Sequence, residues 1–150
     1  LIFIIQSNFI FTENFKQDSV LLIDNLDSFT YNIAHMICGL GYDVNIMNGR
    51  KDTAHSAKEI IEQLNPSHII LGPGPGWPKD SPLTMEFATL AIAGKLPPTL
   101  GICLGHQALG IAAGWPLVHS PSGPVHGTPV ECLHNGNGLF SNILVGNTMV

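Results

Sequence analysis

With 150 residues, 45% of them hydrophobic, the chain is long enough for one domain with a sizeable core and too short for two ordinary ones. A formal charge of -5 with only 6 Lys and Arg residues leaves no basic stripe to follow a phosphate backbone, which argues against nucleic acid as a partner. The three cysteines, Cys38, Cys103 and Cys132, are scattered and odd in number, so neither a disulfide framework nor a zinc site is expected and a reducing cytoplasm fits.

The opening stretch, LIFIIQSNFIFTENFKQDS, starts on an apolar run far shorter than the ~20 residues a membrane helix needs. It carries neither a basic n-region nor a small-residue cleavage site, so no targeting or membrane segment is read there. Residues 1–19 are expected to be a disordered or linker-like N-terminal extension, and a start on Leu1 rather than Met fits a fragment of a longer protein. From residue 20 short apolar runs alternate with helical patterns, the signature of βαβ units and a parallel sheet covered on both faces. VLLID (20–24) reads as a buried first strand. In the helix expected over 28–40, Ile33, Met36, Ile37 and Leu40 recur at helical spacing, with Asp27 or Ser28 as the cap and Gly41 as the stop. A strand at 43–47, a helix at 54–64 ended before Pro66 and a buried strand at 68–71 follow. Beyond a Gly/Pro loop come a helix near 83–93, a strand at 99–102 and a helix over 105–113. After Trp115 the pattern weakens into pieces such as LVH and TPVECLH, which suit strands or hairpin arms.

In an open α/β sheet, ligands gather outside the carboxyl ends of the strands. Three loops are expected there: DNLDS (24–28), GPGPGWPKDSP (72–82) and CLGH (103–106). Gly101-x-Cys103-x-Gly105 has the spacing of a nucleophile elbow, in which glycines let a sharp strand-to-helix turn lift one side chain above the sheet. A helix N-terminus favours a thiolate, and the amide of Leu104 can meet a developing oxyanion. Cysteine is also among the most often buried residues, so spacing alone leaves packing open. In GPGPG a second oxyanion donor has to be a glycine, because Pro75 has no amide hydrogen. Gly76 is preferred to Gly74, although for GPGPG taken alone a rigid turn is the more ordinary use of Gly and Pro. The acids of DNLDSFTYN could hold magnesium or act in acid/base chemistry, but Asp27 and Ser28 suit helix caps better and no chemistry or metal is assigned to them.

Taken together, DNLDSFTYN, LGPGPGWP, GICLGHQALG and VHGTPVECLHNGNGLF resemble class I (triad-type) glutamine amidotransferases over about residues 20–140. Within that family the motifs are most similar to the glutaminase component of anthranilate synthase and aminodeoxychorismate synthase. The resemblance implies a flavodoxin-like, mostly parallel α/β domain over 20–150, with helices on both faces and no cofactor. It also implies L-glutamine as substrate and a chorismate-binding synthase, as subunit or fused domain, as partner. Cys103 would be the nucleophile that forms a glutamyl thioester and releases ammonia. Gly74, Gly76 and Leu104 would line the substrate and oxyanion site, and Gln107 would hold the glutamine.

The family's general base and its orienting carboxylate arrive in a His-Pro-Glu motif. No histidine of this sequence has a carboxylate two residues on, and after Cys103 the only acid is Glu131. Truncation before that segment is the expectation. His106, three residues from Cys103, is the tempting substitute base but belongs to the family's own GHQ turn. His126 and His134 match positions used outside the triad and stay unassigned. Trp77 and Trp115-Pro116 are bulkier than the family's usual residues. Two other readings stay open: a non-catalytic glutamine-binding or synthase-partner module, and a glutaminase serving carbamoyl phosphate or GMP synthesis.

Overall fold

The computed structural model describes residues 2–4, 19–51, 55–121, 123, 131–141 and 146–149. Strands β2 (Ser19–Asp24), β3 (Asp43–Asn48), β4 (His68–Leu71) and β5 (Thr99–Ile102) run parallel. Between and after them come helices α1 (Thr30–Gly39), α2 (Ala57–Leu64), α3 (Pro82–Ile92) and α4 (Leu104–Ala112). With β1 (Ile2–Ile4), the sheet order is β1-β5-β4-β2-β3. The α/β fold with a mostly parallel sheet expected from the alternating pattern is the one observed.

The start of the expected N-terminal extension contributes a strand. β1 pairs antiparallel with β5 in the register Ile2 to Ile102 and Ile4 to Leu100. A three-residue apolar run has no readable period, and what draws it into the sheet is the open edge of β5, which only the strand order reveals. Residues 5–18 lie outside the described ones.

Both faces of the sheet are packed, which is why its strands read as continuous apolar runs. Leu21, Ile23, Ile69 and Leu71 bury against Ile60 of α2, Phe87 of α3 and Leu109 of α4. Val20, Leu22 and Ile70 face the other way, onto Ala34 and Ile37 of α1.

Helix ends differ from the expected ones for local reasons. Neither Asp27 nor Ser28 caps α1. Its N-cap is Phe29, without a side-chain bond, and Asp27 instead accepts the Phe29 N–H at 2.8 Å in a turn ahead of the helix. Met36 and Leu40, members of the expected apolar stripe, are 69% and 60% exposed, because this short helix meets the sheet chiefly through Ala34 and Ile37. α2 starts at Ala57 rather than 54, set by a capping box: the Glu59 N–H donates to Ser56 Oγ and the Ser56 N–H donates to Glu59 Oε2. Of the weak C-terminal pieces, Glu131–His134 forms β6 and pairs antiparallel with β7 (Gly146–Met149), whereas LVH (117–119) is not a strand. Residues 128–130 of TPVECLH lie outside the described ones.

Candidate active site

β2, β4 and β5 deliver their following loops to one edge of the sheet. Between β2 and β4 the winding changes direction, because β3 lies on one side of β2 and β4 on the other. A crevice at the carboxyl ends of the strands is the consequence. It holds a cavity of about 570 Å³, lined by Asp27 after β2, Gly74, Gly76 and Trp77 after β4, and Cys103 and Gln107 after β5. Residues 117–119 complete the wall.

Cys103 occupies the turn between β5 and α4 in a conformation that L side chains rarely adopt, φ 52° and ψ -109°. The surrounding backbone over-determines that strain. A Cβ on Gly101 would lie 2.7 Å from the His106 nitrogen, and one on Gly105 would lie 2.0 Å from the Leu71 carbonyl oxygen. The Gly105 N–H also donates to Gly72 O at 3.2 Å, so the start of α4 is pinned on the end of β4. The thiol is therefore lifted out of the core, and Cys103 is exposed. Leu104 is buried to 1% exposure, so its side chain packs inward while its N–H sits at the first helical position, where no helical carbonyl accepts it. Helix α4 thus brings the Leu104 N–H and the positive end of its dipole toward the thiol.

Asn25 organises the opposite wall, and no spacing rule points to it. The side chain is fully buried, donates from Nδ2 to Gly72 O at 2.9 Å and accepts from Thr84 Oγ1 at 2.6 Å. Gly74 rests on it so closely that a Cβ there would fall 2.4 Å from Asn25 Cβ. Gly76 has a positive φ of 75°. The neighbouring Trp77 N–H donates to Asp80 Oδ2 at 3.2 Å. The Trp77 ring, unusual in the sequence, stands edge-on to His119 with ring centroids 5.4 Å apart. Asp27, expected as a cap, lines the cavity instead. Its loop, DNLDS, is one of the three expected at this edge of the sheet.

Asp24 Oδ1 accepts from the Leu26 N–H at 2.9 Å and from Thr30 Oγ1 at 2.7 Å, so the first acid of DNLDS braces its own turn. Among the described residues no group of three His, Cys, Asp or Glu side chains is placed to hold a metal ion. No helix among them is long and apolar enough to cross a membrane. His134 accepts the Gly136 N–H at Nδ1 and stacks on Phe140, a structural use. His126 lies outside the described residues.

His106 is not among the residues lining the cavity; His119 is the histidine found there. Burial holds the His106 imidazole below its ordinary value. The folded state therefore resists a proton that the unfolded chain accepts, and this group lowers stability as pH falls below ~6.5. His106→Gln is expected to flatten the decline of Tm between neutral and mildly acidic pH, and an unchanged slope would refute it.

The first helix does not hide Cys38. It is exposed on the solvent side of α1, and the side chain of Cys132 lies outside the described residues. Cys103 is still expected to alkylate several-fold faster than Cys38, since only Cys103 stands at a helix N-terminus. Mass-mapped labelling that proceeds equally at both would contradict this.

A strained cysteine on a glycine-flanked elbow faces a second glycine loop across a crevice at the carboxyl ends of the strands. The model of the class-I glutamine amidotransferase family matches residues 21–147, and the chain belongs to that family. It is 40% identical to an anthranilate synthase component 2 of Pyropia yezoensis, over 83% of this chain and 62% of that one. It is 41% identical to an aminodeoxychorismate synthase component 2 of Serratia marcescens, over 83% of this chain and 61% of that one. The same share of the chain is 40% identical to 20% of the bifunctional protein TrpGD of Thermotoga maritima. The chain thus spans about three-fifths of the length of these component 2 relatives and a fifth of the fused one. A solved structure from Thermoplasma acidophilum, described as a GMP synthase subunit, superposes with a TM-score of 0.68 over 91% of this chain and 69% of that one, at 16% identity. At that identity the likeness speaks for the fold.

Proposed function

We propose that this domain hydrolyses L-glutamine through a Cys103 thioester and supplies ammonia to a chorismate-aminating synthase in the cytoplasm. The observation that carries the proposal is the forced backbone of Cys103 between two glycines that tolerate no side chain, opposite the Gly74 to Gly76 loop in one cavity. The thiolate adds to the side-chain amide carbon of glutamine, and the carbonyl oxygen takes the negative charge. The N–H groups of Leu104 and Gly76 receive that oxyanion, with Gln107 on the wall as the contact for the substrate. Collapse of the intermediate breaks the C–N bond, ammonia leaves with an added proton, and water then cleaves the thioester.

The names of the relatives, anthranilate and aminodeoxychorismate synthase components, support chorismate chemistry as the destination. A GMP precursor as acceptor has only a likeness of fold behind it. Residues 1–150 contain no histidine with a carboxylate two positions on, so a thioester formed on these residues alone is expected to accumulate rather than turn over. The experiment is trapping: incubation with an activated γ-glutamyl substrate, followed by intact-mass and peptide mapping. One γ-glutamyl group is expected on Cys103, and none on the Cys103→Ala variant. Acylation at Cys38, or at no cysteine, would overturn the proposal.

A further inference from the structure

We infer that Arg50 is a positioning residue that sets the direction of the Pro75–Gly76 peptide and so presents the Gly76 N–H to the oxyanion. The inference rests on the acyl-transfer function proposed above. Arg50 follows β3 and is not itself among the residues lining the cavity. Its Nε donates to the Asn25 carbonyl at 3.0 Å, and its Nη2 donates to the Pro75 carbonyl. One planar guanidinium therefore ties the buried end of β2 to the exposed glycine loop after β4, a geometry that suits arginine's rigid fork and that a single ammonium reproduces poorly.

The residue that carries this fork is itself immobilised. Asn48 Oδ1 accepts the Arg50 and Lys51 N–H groups at 2.9 and 3.0 Å, which shapes the turn after β3. The Gly49 N–H donates to Asp24 O at 2.7 Å, and a Cβ on Gly49 would lie 2.4 Å from Thr84 Oγ1 and 2.5 Å from Asn25 Oδ1. The turn is pressed onto the same buried Asn25 and Thr84 pair that supports Gly72 and Gly74.

Peptide planarity does the rest. No cis bond occurs among the described residues, and in a trans peptide the C=O and N–H point in opposite directions. Holding the Pro75 oxygen toward Arg50 turns the Gly76 N–H away from Arg50, and Arg50 is not among the residues lining the cavity that Gly76 shares with Cys103. The neighbouring Trp77 N–H is already given to Asp80, which leaves the Gly76 amide as the donor to orient. Without Arg50 the peptide is free to rotate, and glycine on one side lowers the barrier of strain to doing so.

The test compares two reactions of the same thiol. Acylation by L-γ-glutamyl-p-nitroanilide passes through an oxyanion, whereas displacement on iodoacetamide does not. In alkaline buffer, Arg50→Met is expected to lower the limiting single-turnover rate of p-nitroaniline release by roughly 10- to 100-fold, below the 10²- to 10³-fold of a donor removed outright. The substrate concentration at half-saturation should change little, and the iodoacetamide rate should stay within about twofold. Arg50→Lys, which keeps the charge and one donor, should recover part of the loss. Equal losses in both reactions, in Arg50→Met and Arg50→Lys alike, would show a collapsed loop and overturn the inference. So would an undiminished acylation rate in Arg50→Met. A parent protein that alkylates at Cys103 but never acylates would overturn the underlying function instead, and the inference with it.

Discussion

Gly105→Ala is expected to destabilise the domain by about 3 kcal/mol or more, a large share of the ~5–15 kcal/mol that holds an ordinary domain together. The new methyl would be placed 2.0 Å from the Leu71 carbonyl oxygen, 2.5 Å from its carbon and 2.6 Å from its Cβ. These atoms belong to the end of β4, an interior strand paired with both β2 and β5, and they cannot swing aside as a side-chain tip would. Relief requires lifting α4, which would break the Gly105 N–H bond to Gly72 and pull Leu109 out of the core. Gly110→Ala is the matched control on the same helix. Nothing lies within 4 Å of a Cβ there, so the ordinary helix preference for alanine should stabilise by about 0.5–1 kcal/mol. Urea unfolding of the two variants should therefore move in opposite directions. Equal midpoints would mean that the close contact between α4 and β4 is not made.

Residues 1–150, expressed as they stand, are expected to release one equivalent of p-nitroaniline from L-γ-glutamyl-p-nitroanilide and then stop. Steady ammonia release from L-glutamine should be negligible even with a synthase partner present. Acylation of an activated amide needs a thiolate and oxyanion donors, which alkaline buffer and the Cys103 elbow supply. Hydrolysis of the thioester needs a group that activates water, and general acid/base assistance typically contributes ~10²- to 10⁴-fold. No histidine among the 150 residues carries the carboxylate two positions on that would orient and charge-balance it. The readout is the ratio of the burst to the later rate, with Cys103→Ala as the blank. Ammonia release that continues steadily well beyond one equivalent would place a working base within these residues. His119 on the cavity wall would then be the first to replace, ahead of His106.

The layout of the domain is legible in the amino-acid order alone. Apolar runs at 20–24, 68–71 and 99–102 are strands of a covered parallel sheet because nothing else of that length buries both its faces, and the helices between them follow from their spacing. The Gly101-x-Cys103-x-Gly105 spacing likewise locates the elbow, because a sharp turn needs residues without Cβ atoms, and that need is local.

Contacts between elements far apart in the chain are settled by packing instead. Sequence spacing cannot say that Asn25 is buried under Gly74, that Arg50 reaches across to Pro75, or that Ile2 pairs with Ile102. Each of these contacts exists because the strand order brings β2, β3 and β4 together and leaves an edge of β5 to be paired. The same reason separates the histidines. His106 is the nearer to Cys103 in sequence, yet α4 half-buries its ring, while His119, sixteen positions on from Cys103, reaches the cavity because the segment after α4 returns over the crevice. Periodicity reports which face of an element is apolar, and only packing decides which neighbour that face, or the loop beyond it, will meet.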